Sequence, residues 1–526
     1  MQRRSFLALA AASMTSFTRP ALAQARTNTL RFVPQTDLTI VDPVVTTAYV
    51  TRNHALLVWD QLYGLDSQLR PQPQMVEGQT TEANGLLWTF TLRAGLKFHD
   101  GEPVRGRDCV ASIRRWAERN AEGATLMSRV VEMTAPTDNS FVIRLSKPYP
   151  GILGTLARLG PPALMIMPER LAKTPSSEQV KELIGSGPFR WKPDERIVGA
   201  KVVYERNRDY LPRPEGVTSW AAGPKIAHVD RVEWTIMPDP GTALAALQNG
   251  EVDWWENPPN DLLPIIERAP GLKMERASPL GILGTGIFNH LHPPFNNPEI
   301  RRVVMEAFSQ EDYMAAAAGE SNMWRAGVGV FPPDTPMAND AGLSAVTGPR
   351  DVAASKKALA TAGYKGERVV IMAPSDHAAL AAIGEVANDV LRRLGMNVEY
   401  VVSDWGTLVQ RRASKAAPDA GGWSMFHTTW FGLDMVTPGV SQMLRAGGGQ
   451  TYFGWPDIPE LETLRNSWID ASDPADQSRL AREMQAVALR RAAYIPTGQY
   501  FSNTAHSSKL TDVPNGLIAF WGARFA

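Results

Sequence analysis

The sequence predicts an α/β fold in which parallel strands alternate with helices. Three consecutive segments support this: an apolar run at 369–373, an amphipathic stretch at 377–394 and a second apolar run at 398–402. Short apolar runs are typical of buried strands, and a 3.6-residue periodicity ending at Gly395 indicates a helix. Together they form a βαβ unit, whose strands should lie parallel with a right-handed crossover.

The loops after these two strands are candidate binding loops. In open α/β sheets, ligands lie beyond the carboxyl ends of the parallel strands. Ser375 and Asp376 follow the first strand, and Ser403, Asp404 and Trp405 follow the second. We therefore expect these loops near a ligand.

Two further elements support a mixed α and β composition. Trp88, Phe90 and Leu92 alternate with polar residues, which is the two-residue period of a half-buried strand. Farther along, Asn297 is a candidate N-cap, Pro298 stands in the first turn, and an apolar stripe follows at helical spacing.

The first 23 residues have the pattern of a cleavable export signal. Arg3 and Arg4 precede an apolar run, and Ala21 and Ala23 fit the small-x-small cleavage rule. The paired arginines favour the twin-arginine type, with an ordinary Sec signal as the alternative. The apolar run is shorter than the ~20 residues that a transmembrane anchor needs. We therefore expect cleavage after Ala23 and a location in the periplasm.

Composition argues against a nucleic-acid partner and against a disulfide scaffold. The 526 residues include 54 Lys and Arg and 54 Asp and Glu, so there is no basic excess for a phosphate backbone. Cys109 is the only cysteine, so no internal disulfide can form. Stability must come from a large core, and the length predicts about two to four domains.

The common catalytic and nucleotide-binding motifs are missing from the sequence. It contains no Gly-x-Ser-x-Gly, Cys-x-x-Cys, His-Glu-x-x-His or Gly-x-x-x-x-Gly-Lys pattern. His290 and His292 form a His-x-His pair, which is weak support for a metal site without a third ligand. We therefore expect ordinary loop histidines, no metal, no cofactor and no enzymatic activity.

One acidic residue stands among apolar neighbours. Residues 428–438 read TTWFGLDMVTP, in which Asp434 is the only charged residue and follows Trp430 and Phe431 closely. Withdrawing a charge from water without a partner is costly. Asp434 should therefore face solvent, pair with a protein cation, or receive a cationic group from a ligand.

Several segments in a fixed order resemble the family 5 extracellular solute-binding proteins, the peptide- and nickel-binding receptors of ABC importers. The longest is LLWTFTLRAGLKFHDGEPVRGRDCVASIRRW at 86–116. The others are IGSGPFR at 184, GTALAALQNGEVDWW at 241, FNHLHPPFNNPEIRRVVMEAF at 288, ALATAGYKG at 358, WFGLDMVTP at 430 and YIPTGQYF at 494. The resemblance covers essentially the whole chain after the export signal. Arg105 departs from it, because relatives usually have a small hydroxyl residue at that helix cap.

This resemblance implies a two-lobed class II periplasmic binding fold with an extra subdomain in the first lobe. Residues 24–280 and 500–526 would form the first lobe, with the subdomain at about 71–184, and residues 281–499 the second. The two crossings would form a hinge. The glycines at 281, 284, 286 and 498 suit rotation there, although ordinary turns would explain them equally well.

The resemblance also implies a role for Asp434. In peptide-binding relatives, an aspartate four residues before a proline in this loop pairs with the α-ammonium of the ligand. Asp434 and Pro438 keep that spacing. Apolar neighbours exclude water and strengthen such a charge-assisted bond. A salt bridge to an internal arginine, such as Arg445 or Arg393, is the alternative.

Aromatic residues near this loop are further candidates, because rings lining a cleft stack on a ligand or hold its cation. Packing in the core is the alternative for each of them. The candidates of the second lobe are Trp405, Trp430 and Phe431 beside the predicted binding loops, with Trp423 and Trp455 in the same region. Those of the first lobe, where relatives face their ligand, are Tyr49, Tyr63, Ser186 and Gly187.

Together the residues and the resemblance predict a periplasmic receptor of an ABC importer. It would capture a peptide or another amine-bearing small solute between its lobes and deliver it, as a monomer, to a membrane permease. Contacts with both lobes would favour the closed state. A metal-chelate or haem receptor on the same fold would need His290, His292 or arginines in the cleft. A periplasmic hydrolase would need a nucleophile and a base brought together by folding.

Overall fold

A computed structural model of the protein describes residues 28–526. The predicted export signal and its cleavage site lie outside the described residues. Within 28–526, no helix is both long and apolar enough to cross a membrane.

The strands of the described chain are short and come from its whole length. The first twelve are β1 (Thr29–Val33), β2 (Tyr63–Leu65), β3 (Pro71–Pro73), β4 (Val76–Glu82), β5 (Leu87–Leu92), β6 (Val130–Thr137), β7 (Ser140–Leu145), β8 (Phe189–Trp191), β9 (Lys201–Arg206), β10 (Arg231–Thr235), β11 (Trp254–Trp255) and β12 (Leu272–Arg276). The others are β13 (Ile282–Phe288), β14 (Trp324–Arg325), β15 (Arg368–Pro374), β16 (Asn397–Ser403), β17 (Met425–Phe431), β18 (Ile495–Tyr500), β19 (Asn503–Ser507), β20 (Leu510–Thr511) and β21 (Arg524–Phe525).

The α-helices lie between the strands throughout the chain. They are α1 (Tyr49–Val58), α2 (Gly106–Ala117), α3 (Ala121–Met127), α4 (Ile152–Leu156), α5 (Glu169–Ala172), α6 (Pro240–Gln248), α7 (Leu263–Arg268), α8 (Pro298–Ala307), α9 (Gln310–Ala318), α10 (Ser344–Thr347), α11 (Val352–Thr361), α12 (Ala378–Arg393), α13 (Trp405–Arg411), α14 (Pro459–Asp470) and α15 (Pro474–Arg490).

A seven-stranded mixed sheet organises one part of the molecule. Its order is β12-β19-β11-β1-β10-β9-β8, with β1 parallel to both β10 and β11. The core beside it includes Phe32, Trp234, Trp254 and Phe520, whose rings meet at centroid distances of 5.1 to 6.0 Å. A separate four-stranded antiparallel sheet, β4-β5-β7-β6, packs on α2 around its own core. We call the part built on these sheets the first lobe.

A six-stranded sheet organises the other part, which we call the second lobe. Its order is β14-β18-β13-β17-β15-β16. The predicted βαβ unit is confirmed, because β15 and β16 are parallel from Arg368 opposite Asn397 to Pro374 opposite Ser403, with α12 between them. α12 packs on the sheet through its buried residues Leu380, Ile383 and Ala387.

The other predicted elements are also confirmed. The alternating segment forms β5, and the Asn297 side chain accepts a 2.9 Å hydrogen bond from the Glu299 N–H to begin α8. Arg105 precedes α2 and has no side-chain hydroxyl to cap it, so a residue in the first turn of α2 provides a hydrogen bond at the helix start. The Asp108 carboxylate accepts a 2.7 Å bond from the Arg105 N–H, which satisfies a backbone donor beside the helix start.

The chain passes between the lobes at two adjacent connections. It leaves the first lobe after Arg276, enters the second at Ile282, and returns between Tyr500 and Asn503. Gly281 stands in the first connection with a φ of 56°, where any Cβ would lie 2.8 Å from the Tyr500 carbonyl oxygen. A glycine is required there for close approach as well as for the positive φ. The predicted domain boundaries remain a prediction.

Candidate functional site

Two cavities lie between the lobes, and the contacting rings of Tyr49 and Phe431 border both of them. The ring centroids are 3.7 Å apart. The first cavity, of about 580 Å³, is lined by Arg52 and Glu256 of the first lobe and by His377 and Tyr500, among others. The second cavity measures about 670 Å³ and is lined by the charged residues Arg119, Glu122, Arg158, Arg412 and Asp434, together with aromatic residues.

Local structure places the two rings at this boundary. Tyr49 is the first residue of α1, a helix whose remaining nine residues are buried in the first lobe. Phe431 is the last residue of β17 in the centre of the second sheet. Each ring therefore extends from the end of a rigid element toward the opposite lobe.

Asp434 joins the lobes directly. It closes the 3₁₀ turn Gly432–Asp434 after β17. Its Oδ1 lies 2.6 Å from Nη2 of Arg158, and its Oδ2 accepts a 2.6 Å hydrogen bond from the Tyr49 hydroxyl. Only 8 % of the residue is exposed. Both partners belong to the first lobe, so Asp434 makes an ion pair and a hydrogen bond across the cleft.

The structure shows that Asp434 has an internal arginine partner and corrects the identity of that partner. The carboxylate pairs with an internal guanidinium, but that guanidinium belongs to Arg158. Arg445 instead donates to the Gly439 carbonyl oxygen at 3.4 Å, and Arg393 pairs with Asp389 at 3.3 Å. A partner 276 positions away along the chain cannot be found from the sequence near Asp434.

Arg158 is held between two carboxylates in a tight backbone environment. Its Nη1 lies 3.3 Å from Glu122, and its Nε donates to the Gly160 carbonyl oxygen at 3.0 Å. A Cβ on Gly160 would lie 2.3 Å from Oδ1 of Asp434 and 2.7 Å from Nη2 of Arg158. Only glycine leaves room for this ion pair.

Burial and charge shift the pKa values around the pair. Burial lowers the pKa of Arg158, but the charges of Glu122 and Asp434 outweigh it and the net pKa is raised. Burial raises the pKa of Glu122, and the nearby Arg158 opposes that rise. Burial and the Asp434 charge raise the pKa of the Tyr49 hydroxyl well above 10, so Tyr49 remains a hydrogen-bond donor.

Besides Tyr49, three of the predicted aromatic residues line the second cavity. They are Trp405, at the start of α13, and Trp430 and Phe431, at the end of β17. Nε1 of Trp430 is buried and has no hydrogen-bond partner within the described residues. That N–H is therefore a free donor in a residue that borders the cavity.

Three other predicted aromatic residues lie in cores rather than along either cavity. Trp423 and Tyr63 have no exposed surface, and Trp455 is 4 % exposed. Trp423 donates to the Arg412 carbonyl oxygen at 3.2 Å, and Tyr63 donates to Gln79 at 2.8 Å. Burying a large aromatic ring removes more apolar surface from water than burying a small side chain. This gain explains why these three rings lie in cores.

Ser186 and Gly187 are enclosed by other protein atoms rather than placed beside a cavity. Ser186 is buried, and a Cβ on Gly187 would lie 2.7 Å from the Leu57 carbonyl oxygen. The Gly187 carbonyl oxygen accepts a 3.0 Å bond from Asn207. Neither residue lines one of the two cavities.

The predicted binding loops contribute one residue to the second cavity. Trp405 borders it, whereas Asp404 accepts a 2.9 Å bond from the Thr407 N–H and caps α13. Asp376 accepts from the Trp405 N–H at 2.8 Å, which ties the two loops together. Ser375 and Ser403 lie away from both cavities.

The two loop histidines bond to backbone. His290 lies 3.1 Å from the Ala493 carbonyl oxygen, and His292 lies 2.9 Å from that of Lys415. Burial lowers the pKa of His290 to about 3, so it is neutral. In the part of the chain that the structure describes, no group of three or more His, Cys, Asp or Glu is placed to hold a metal ion.

Several cavity residues were missed from the sequence. Arg52 lies in α1 beneath Tyr49, with its guanidinium carbon 4.8 Å from the ring centre. Glu256 accepts bonds from the Gln35 N–H at 2.8 Å and the Asn53 amide at 2.9 Å, and burial raises its pKa to about 7. Arg52 and Glu256 could have been noticed in the sequence as charged residues within otherwise apolar segments, as Asp434 was.

Comparison with known proteins identifies the family. A family model described as "Bacterial extracellular solute-binding proteins, family 5 Middle" matches residues 70–452. The chain is 38% identical over 520 residues to the "Probable peptide ABC transporter periplasmic-binding protein y4tO" of Sinorhizobium fredii, covering 98% of this chain and 97% of the relative. It is 23% identical to the "Glutathione-binding protein GsiB" of Salmonella typhimurium over 90% of each chain.

Solved structures share the fold at low identity. The protein AgaA of A. tumefaciens R10, in complex with agropinic acid, has a TM-score of 0.78 at 19% identity, covering 95% of this chain and 99% of that one. A dipeptide-binding protein of Pseudoalteromonas sp. SM9913, in complex with Met-Leu, has a TM-score of 0.77 at 19% identity, covering 95% and 100%.

The chain belongs to the family 5 bacterial extracellular solute-binding proteins. Its fold is that of the class II periplasmic binding proteins, as the resemblance implied. Members of this family serve transport, and the match over nearly the whole length of the 38% identical relative places the protein among periplasmic receptors of ABC importers.

Proposed function

We propose that the protein captures a peptide or a similar amine-bearing solute in the second cavity and presents it to the permease of an ABC importer. The observation that carries this is the position of Asp434, buried between the lobes yet bordering a cavity of about 670 Å³. That volume lies within the usual range for small-molecule sites, roughly 300–1,000 Å³. The names of two relatives, for a peptide and for glutathione, support the same ligand class.

The Asp434 carboxylate keeps capacity for a ligand. An ionised carboxylate offers about four lone-pair positions, and Arg158 and Tyr49 use two of them. A ligand ammonium in the second cavity would use another. The bond is charge-assisted and shielded from water by Trp430 and Phe431, which strengthens it.

The aromatic residues supply the rest of the recognition. Trp405, Trp430 and Phe431 offer ring faces for apolar ligand side chains. Tyr49 contributes from the first lobe. Contacts from both lobes make a bound solute favour closure, because the open form lacks half of them.

No bond is made or broken in this function, and the solute leaves unchanged. Residues of one chain line the cavity from both lobes, so a single copy suffices and we propose a monomer. We also propose export through the twin-arginine pathway, since Arg3 and Arg4 precede the apolar run of the signal.

The test is native mass spectrometry of the protein after incubation with a pool of dipeptides and tripeptides. We expect the protein to retain specific members at one molecule per chain and to release them intact. Retention of none would contradict a peptide ligand, and release of cleaved products would indicate a hydrolase. Metal bound to freshly purified protein would favour the chelate receptor.

A further inference from the structure

A further contact between the lobes lies outside both cavities, at the end of α14. This helix belongs to the second lobe, because its residue Leu461 is buried in one core with Leu283 of β13 and Phe426 of β17. Two residues at the other end of the helix, Ile469 and Asp470, instead contact the first lobe. Neither of them lines a cavity between the lobes.

Ile469 belongs to the apolar core beside the four-stranded sheet of the first lobe. Only 4 % of it is exposed, and among the described residues it is the one buried hydrophobic residue of the second lobe in that core. Its neighbour Trp468 packs against this core and against the core of the second lobe. Separating the lobes would therefore return apolar surface to water, which is unfavourable.

Asp470 adds an ionic contact beside Ile469. Its carboxylate lies 2.7 Å from Nη2 of Arg129 and 3.1 Å from Nζ of Lys147, which stand just before β6 and just after β7. The Arg129 side chain is 6 % exposed, and its guanidinium carbon lies 4.8 Å from the ring centre of Tyr149. The first lobe therefore holds a cation in place opposite Asp470.

The position of Asp470 in its own helix is unfavourable. It is the last residue of α14, where the helix dipole favours a cation over an anion. Local helix stability therefore does not account for an aspartate at this position. The two cations of the first lobe do account for it.

We propose that these residues form a clasp that holds the lobes together before any solute is bound. The clasp consists of Arg129 and Lys147 in the first lobe and of Ile469 and Asp470 in the second. It gives the four-stranded sheet a role, because the sheet and its core present a fixed seat for the end of α14. Since the clasp is separate from the cavities, it shifts the balance between open and closed forms without selecting the solute.

The experiment is small-angle X-ray scattering of the dialysed, solute-free protein. Asp470→Lys places a third cation beside Arg129 and Lys147, so the lobes should separate and the radius of gyration should rise above that of the parent. Ile469→Ala removes apolar contact without changing the charge and should shift the radius in the same direction. Circular dichroism of Asp470→Lys should show the parental helix content, because a cation suits the end of α14.

A charge exchange and a matched control complete the test. Adding Lys147→Glu to Asp470→Lys restores an attractive pair, so the radius should return part of the way to the parental value. Asp389→Lys reverses another helical aspartate of the second lobe, one that pairs at 3.3 Å with Arg393 of its own helix, and it should scatter like the parent.

Parental scattering by both Asp470→Lys and Ile469→Ala would overturn the clasp. An equal increase in Asp389→Lys would overturn it too, since it would indicate a general response to charge. Because no solute is present, neither result bears on the proposed function.

Discussion

Asp434 and Arg158 form an ion pair across the interlobe cleft, with 2.6 Å between Oδ1 and Nη2. The side chains are 11 % and 9 % exposed. Removing one partner of a buried pair strands the other charge and costs about 3–5 kcal/mol. If the lobes separate, each charge can be hydrated, so we expect opening to relieve this cost. We therefore predict that the pair stabilises the arrangement in which the lobes meet.

The first prediction concerns this contact. Arg158→Gln should disfavour closure by about 3 kcal/mol, since Asp434 then lacks its counter-charge. Small-angle X-ray scattering of the solute-free protein should show a larger radius of gyration than the parent. Arg393→Gln, which changes charge on an exposed helix face, should scatter like the parent. Identical scattering by Arg158→Gln and the parent would show that the pair does not set the lobe angle.

Gly160 offers a steric version of the same test. Gly160→Ala would place a methyl carbon 2.3 Å from Oδ1 of Asp434, so the ion pair must separate. We expect an opening similar to that of Arg158→Gln without any change of charge. Gly154→Ala is the control, because a Cβ there meets no atom within 4 Å. An unchanged radius of gyration for Gly160→Ala would contradict the prediction.

Tyr49→Phe isolates the hydrogen bond to Asp434. The variant keeps the ring against Phe431 and loses only a 2.6 Å bond between the lobes. A hydrogen bond to a charged group contributes about 1.5 kcal/mol or more, so calorimetric titration with a retained peptide should show about tenfold weaker binding.

Tyr210→Phe is a matched control for Tyr49→Phe. It removes a tyrosine–carboxylate bond of 2.9 Å to Asp60 that lies wholly within the first lobe. We expect it to lower the free energy of unfolding and leave the affinity for the peptide unchanged. Equal loss of affinity in both variants would argue against a special role for the bond across the cleft.

Glu256 gives the protein a pH dependence. Burial raises its pKa from 4.5 to about 7, so the folded state holds a proton that the unfolded state releases. Stability from this group is therefore complete below pH 4.5 and is lost as the pH rises through 7, by about 3 kcal/mol. Denaturant titrations should show a decline in the parent that is smaller by this amount in Glu256→Gln. An exposed control, Glu118→Gln, should decline like the parent.

Much of the fold could be predicted from the sequence because local patterns determine it. The two-residue alternation of β5, the capped stripe of α8 and the β15-α12-β16 unit each satisfy their backbone and burial within a short segment. The order of the family motifs then supplied the overall architecture, which no local pattern contains.

The site was predicted only in part, for a physical reason. Asp434, Trp430 and Phe431 were recognisable as a charge and rings in one short loop. The partner at Arg158 depends on which distant segments meet, and nothing local distinguishes this arginine from many others. Trp423 and Tyr63 show the converse, since composition alone cannot separate a ring in a cleft from a ring in a core.

The most direct measurement is calorimetric titration of the parent and Asp434→Asn with a retained peptide and with its N-acetylated form. The parent should bind the free amine at least about tenfold more tightly than the acetylated peptide, because only an ammonium forms the charge-assisted bond. Asp434→Asn should weaken binding of the free amine and bring the two affinities together. Equal affinity of the parent and Asp434→Asn for the free amine would contradict the role of Asp434 in solute capture.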